Sequence, residues 1–281
     1  MEGWVDNTHH EEFTHTVQLT DPDAGVEVSL VCTPSPGYEV RAASARALSG
    51  AVHPSIAADL ATLAGTRMVA GFTRRLAELC GARPGAELFV DAGVEAARLA
   101  RQVTKLPAAA VAGLDVDDAL ACWRLDITGW VDLPDSCFTY SQAGRALFGT
   151  RPVSTPMAAA LYSSPPGARK IFTRKKVARL VLTDRRLHLF HSMHDNVHGF
   201  DVHYEVDLDR GVIVAADSIT SRLPYAGICD EPQGRVRSLL DQPVDAELRK
   251  RIQTQIGGSA GCAQLYDLTA DLLKLLLLPE A

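Results

Sequence analysis

The sequence predicts an α+β protein with two similar β-hairpin-plus-helices repeats and a central mixed insertion, packed as a pseudo-twofold unit. Three observations predict it. Blocks of residues recur in the same order in the two halves of the chain. In each half, apolar alternation of period two gives way to apolar spacing of period 3.6. The chain's few aromatic residues gather between the halves.

The recurrence begins at Gly25-Val-Glu-Val, which aligns with Gly199-Phe-Asp-Val. In that register Gly37, Val40, Ala42 and Ser44 fall on Gly211, Val214, Ala216 and Ser218. Two residues out of register, Arg74-Arg75-Leu76 falls on Lys250-Arg251-Ile252, Gly81 on Gly257, Gly85 on Gly261, Asp91 on Asp267 and Leu99 on Leu275.

Each element follows from its pattern. Val26-Val28-Leu30 and Phe200-Val202-Tyr204-Val206 alternate as half-buried strands do. The turns at Pro34–Gly37 and Asp207–Gly211 lead each into a second strand, giving a hairpin. Helices follow, with Phe72, Leu76 and Leu79 in one copy and Leu248, Ile252 and Ile256 in the other at helical spacing. Gly81 and Gly257 end them as C-terminal glycines. A last helix is expected over Glu87–Gln102 and over Gln264–Leu278. The insertion carries Trp123, Trp130, Phe138, Tyr140, Phe148 and Phe172, too many rings for a flexible linker. Strands are expected at Ile171-Phe172, Val177–Leu182 and Arg186–Phe190. The domain reading is a first repeat over 13–106, the insertion over 107–184 and a second repeat over 185–281.

Composition narrows the function. Apolar residues are 47% and charged residues 22%, so the chain can bury a core. A net charge of −6 excludes a general phosphate-backbone binder. Neither a signal peptide at Met1–Thr14 nor a spanning helix is expected, since the most apolar run, Leu272–Leu278, is far too short. The expectation is a cytoplasmic protein acting on a small molecule, with no nucleic acid or membrane partner and with a homo-oligomer allowed. The run Arg169-Lys170 and Arg174-Lys175-Lys176 reads as a solvated strand edge or a clamp for an anionic substrate.

The six cysteines include no C-x-x-C pair and suggest no disulfide framework. Cys32, Cys80 and Cys122 read as small buried hydrophobes. Three other stretches carry candidate chemistry. His188 to His203 holds five of the nine histidines. In a strand–turn–strand, His191, His194 and His198 could converge on one metal, zinc or iron, or on a substrate, with His198 the leading residue. Gly257-Gly-Ser-Ala-Gly261-Cys262-Ala-Gln264 delivers Cys262 to the first turn of a helix, where the partial charge favours thiolate. Cys229 lies in a comparable loop, Pro224-Tyr225-Ala-Gly-Ile-Cys229. Trp130-Val-Asp-Leu-Pro-Asp135-Ser-Cys137-Phe-Thr-Tyr140 packs acids, a thiol and rings into one loop. Trp130, Asp135, Cys137, Tyr140, Tyr225 and Gln264 are the candidate pocket residues.

The second half resembles the family called domain of unknown function 2889. The resemblance rests on VHGFDVHYEVDLDRGVIVAADS, LPYAGICDE and GGSAGCAQLYDL, covering roughly Val197 to Leu276. It implies a His before the first strand, a Cys in the middle loop and a Gly-Cys-Thr-His motif opening the last helix, which fall on His198, Cys229 and Cys262. Ala263-Gln264 stands where Thr-His would be. The layout is similar to iron–sulfur scaffold and sulfur-acceptor domains. The resemblance also implies a place in the catabolism of aromatic or acyl compounds. The expected function is a lyase-type enzyme performing acid/base C–C or C–O cleavage, with His198, Cys229 and Cys262 at its site. The alternatives are a non-catalytic metal or sulfur carrier and a ligand-binding accessory subunit. The cofactor expectation is zinc or iron, or none. In the first half, Ala24, Ser55 and Ala86 stand at the corresponding positions.

Overall fold

A computed structural model describes residues 1–8 and 10–276. It is α+β, and contacts divide it into two compact units. The first comprises 1–114, 128–131 and 158–175; the second comprises 115–127, 132–157 and 176–281. The middle segment is thus shared between the units.

In the first unit, strands β1 (Glu2–Asp6), β2 (Phe13–Thr20), β3 (Gly25–Cys32) and β4 (Val40–Ser49) form an antiparallel sheet. Its order is β4-β3-β2-β1, with the start of β5 (Phe172–Thr183) beside β1. Val26, Val28, Leu30 and Cys32 alternate inward on β3, as expected for a half-buried strand. Helices α1 (Ser55–Leu60), α2 (Phe72–Cys80), α3 (Ala86–Leu99) and α4 (Ala108–Val111) follow. The small residues Ala92, Gly93 and Ala96 bring α3 close; a Cβ on Gly93 would lie 2.8 Å from Leu76 of α2. Gly81 closes α2 at φ +59°, as a C-terminal glycine does.

In the second unit the order is β5-β6-β7-β8, with β6 (Arg186–Asp195), β7 (Gly199–Asp207) and β8 (Val212–Arg222). Asp184 and Arg185 both have positive φ, the backbone of a tight two-residue hairpin turn. Asp207 Oδ1 accepts the amides of Asp209 (3.0 Å) and Arg210 (3.1 Å) to shape the β7–β8 turn. Helices α5 (Ala119–Gly129, whose last two residues belong to the first unit), α6 (Gln142–Leu147), α8 (Leu248–Ile256) and α9 (Ala263–Leu276) belong here; α7 (Ala159–Tyr162) belongs to the first. α9 lies on β6 and β7, and a 3₁₀ segment, Gln233–Leu239, lies on β8. After α8 it is Gly258, at φ +71°, that turns left-handed; Gly257 is extended. The last two residues of the expected final helix lie outside the described residues.

Each unit runs strands, then a nine-residue helix (α2, α8), then a fourteen-residue helix (α3, α9). Two strands had no clear sequence signal. On β2 the inward positions are Phe13, His15 and Val17, and the imidazole interrupts the apolar alternation. The basic run divides: Arg169, Lys170 and Lys175 are exposed, but β5 is paired on both sides, Arg174 and Lys176 alternate inward on it, and Lys176 Nζ meets Asp271 of α9 at 2.9 Å. No helix among the described residues is long and apolar enough to cross a membrane.

His15 gives the first unit an acid weakness. Its Nδ1 faces the Leu30 carbonyl at 3.4 Å, and its buried Nε2 has no partner among the described residues. Burial lowers its pKa from 6.5 to about 4. Between those values the unfolded chain binds more protons than the folded one. Stability present above pH 6.5 is therefore lost as the pH falls, by about 3 kcal/mol over the window. Urea denaturation at pH 7 and pH 4.5 should show His15→Leu losing less stability on acidification than the parent. Equal losses would disprove the assignment.

Candidate functional site

The candidate chemistry lies in the second unit, in two neighbourhoods. The first is the β6–β7 hairpin. Strand alternation sends its histidines to different places. His191 is buried and donates from Nδ1 to the Leu268 carbonyl of α9 at 2.9 Å. His194 is exposed, with Nε2 3.3 Å from Asp201. His198 is buried in the turn and stacks on Phe200, ring centroids 6.0 Å apart. The three expected metal residues thus have three different partners and do not form a ligand group among the described residues.

Asp195 holds the turn. Its Oδ1 accepts the backbone N–H groups of Val197 (2.8 Å) and His198 (2.6 Å). Both carboxyl oxygens lie 3.1 Å from His198 Nδ1. An Nδ1–H donated to this carboxylate fixes the ring so that Nε2 carries the free lone pair. Nε2 makes no hydrogen bond among the described residues.

The second neighbourhood surrounds Asp126. On α5, Ala119, Cys122, Trp123 and Asp126 share one stripe at helical spacing, and all four are buried. Asp126 Oδ2 accepts the hydroxyl of Tyr140 at 2.7 Å and also that of Tyr225. The rings of Tyr140, Tyr225, Trp123 and Phe148 pack edge-on or stacked around it, with centroids 5.8–6.4 Å apart. Burial, reinforced by the Asp126 carboxyl, holds the Tyr140 phenol well above its usual pKa of 10.0.

Three thiols lie beside this hub. Thr139 Oγ1 is 2.9 Å from Cys229 Sγ. Phe138 N donates to the Gly261 carbonyl at 2.8 Å, which docks the glycine loop carrying Cys262 against the loop carrying Cys137. Gln233 Nε2 donates to the Cys229 carbonyl at 2.7 Å, and its side chain also reaches Cys262. The expected thiolate at Cys262 is reversed. Burial pushes its pKa up to about 12, outweighing the amides of Leu265 and Gln264 that favour the anion. Burial likewise raises Cys229 and Cys137. All six cysteines are free, and Cys32, Cys80 and Cys122 are buried as expected.

The other expected pocket residues divide. Trp130 belongs to the first unit, where it packs edge-on against Tyr162 at 5.8 Å, and its buried Nε1 has no partner among the described residues. Asp135 is an exposed turn residue at φ +59°. Gln264 is half-buried at the start of α9. An apolar pocket lined by Leu189, Tyr204, Leu239, Leu248 and Thr269 involves none of the expected site residues. Sequence reasoning placed Asp195 at the hairpin turn without pairing it to His198, and missed Asp126, Thr139 and Gln233. Asp126 had a signal, as an acid on the apolar stripe of a helix; the others had none.

Residues 179–277 match the model of a family described as Protein of unknown function (DUF2889). No curated protein and no solved structure matches the chain.

Proposed function

We propose that the second unit, whose residues 179–277 carry the DUF2889 pattern, is a cytoplasmic small-molecule enzyme of the lyase type. The observation that carries this reading is the buried Asp195–His198 pair. Asp195 orients the ring, and His198 Nε2 takes or gives the proton at the substrate. Cys229 and Cys262, kept as neutral thiols by burial, shape the polar surroundings and do not attack. Tyr140, fixed by Asp126 and backed by the fully buried Tyr225, supplies a rigid wall. The substrate class is an aromatic or acyl catabolite. The two units read as copies of one plan with the site kept in the second, since Ala24, Ser55 and Ala86 replace the imidazole and both thiols.

The test is deuterium uptake from D₂O into a panel of aromatic and acyl acids, followed by proton NMR. At least one member should exchange or be cleaved. His198→Gln should slow it by about 10²–10⁴-fold, the usual contribution of a general acid/base, with the circular dichroism spectrum of the folded chain retained. Full activity in His198→Gln would sink the reading. Metal retained through the thiols after anaerobic purification would favour the carrier reading instead.

A further inference from the structure

The histidine-rich hairpin builds a metal group from members other than the expected ones. β6 and β7 pair so that His188 faces Glu205 directly, while His203 lies opposite Phe190, one step along the same outward face. His188 Nδ1 is 3.3 Å from Glu205 Oε1. The His188 and His203 rings lie nearly parallel, 16° apart with centroids at 6.0 Å. One ligand atom from each of His188, His203 and Glu205 lies within 4.8 Å of the other two. Both strands have a hydrogen-bonded neighbour on each side, so their backbones are held in register.

We infer that His188, His203 and Glu205 form a zinc-type site on the outer face of the second unit's sheet. Two imidazoles and a carboxylate are the ligand set of an open zinc centre, with solvent as the fourth ligand. Tetrahedral ligands at about 2.0–2.2 Å from the ion stand about 3.3 Å apart, so the half-exposed side chains close by up to about 1.5 Å without backbone movement. Asp217 lies opposite His203 on β8 but is held by Arg237 at 3.0 Å, which leaves three protein ligands. Imidazole donors select zinc and neighbouring transition ions over magnesium, which prefers oxygen ligands. The site is separate from the proposed His198 chemistry and does not depend on it.

The experiment titrates the tag-free full-length chain, stripped with a chelator, with Zn²⁺ against a colorimetric chelator. One Zn²⁺ should bind per chain, and excess Mg²⁺ should not displace it. His188→Ala and His203→Ala should each weaken binding at least tenfold, and Glu205→Gln should weaken it too. His194→Ala and His10→Ala, at exposed positions outside the group, should bind as the parent does. Circular dichroism should be the same for all five variants. Unchanged binding in both His188→Ala and His203→Ala, loss in His194→Ala instead, or no zinc bound by the parent would overturn the assignment.

Discussion

Asp126→Ala should destabilise the chain by about 4 kcal/mol, because it removes the carboxyl that accepts two phenol hydroxyls in an aromatic cluster. Each unsatisfied buried polar group costs about 1–3 kcal/mol. Tyr225 is fully buried and Asp126 is 1% exposed, so the Tyr225 hydroxyl gains no water without disrupting the packing. The reverse experiment separates this cause from simple loss of volume. Tyr140→Phe and Tyr225→Phe remove the donors themselves, so adding both to Asp126→Ala should recover part of the lost stability. Urea denaturation of the single, double and triple variants supplies the coupling energies. A triple variant no more stable than Asp126→Ala would show that the hydroxyls are not what the carboxyl serves.

Gly261→Ala should cost about 3 kcal/mol or more and lower the melting temperature by about 6 °C or more. A Cβ at this position would stand 1.8 Å from the Ile256 carbonyl oxygen and 2.5 Å from that of Gly257. Both obstacles are backbone, and the Ile256 oxygen already accepts the Cys262 amide at 2.9 Å. The loop must therefore move, carrying with it the carbonyl that binds Phe138. Cys262 should then alkylate faster, since the burial that keeps its thiol protonated is relieved. Gly234→Ala, where a Cβ meets nothing within 4 Å, is the control. A melting temperature within 1 °C of the parent in Gly261→Ala would contradict the packing described.

Local pattern was enough to find the second-unit hairpin and both long helix pairs. Phe200, Val202, Tyr204 and Val206 alternate without interruption, and Leu248, Ile252 and Ile256 mark one helix face. The first two strands were hidden for opposite reasons. β1 is five residues long with acids at both ends, and β2 buries a histidine where the alternation needs an aliphatic residue. The site was legible only as a neighbourhood. Cys137, Tyr140, Tyr225, Cys229 and Cys262 were picked out by residue type, but Asp126, which ties the two tyrosines together, is set by tertiary packing of α5. The direction of the thiol shifts depends on burial, which sequence does not display. The histidines misled because spacing along the chain was read without the two-residue alternation that sends His191 inward and His188 outward.

The docking of the Gly261 loop on the Phe138 amide bears on how this chain can be divided. The stretch that matches the family starts inside β5 and omits α5 and the 132–157 segment. Expressed alone, residues 179–277 would leave Tyr225 without its carboxyl, Cys229 without the Thr139 hydroxyl and the Gly261 carbonyl without its donor. The boundary of the family match therefore falls inside the set of residues that pack together in the second unit. In this chain the matched stretch borrows part of its interior from residues that lie outside it.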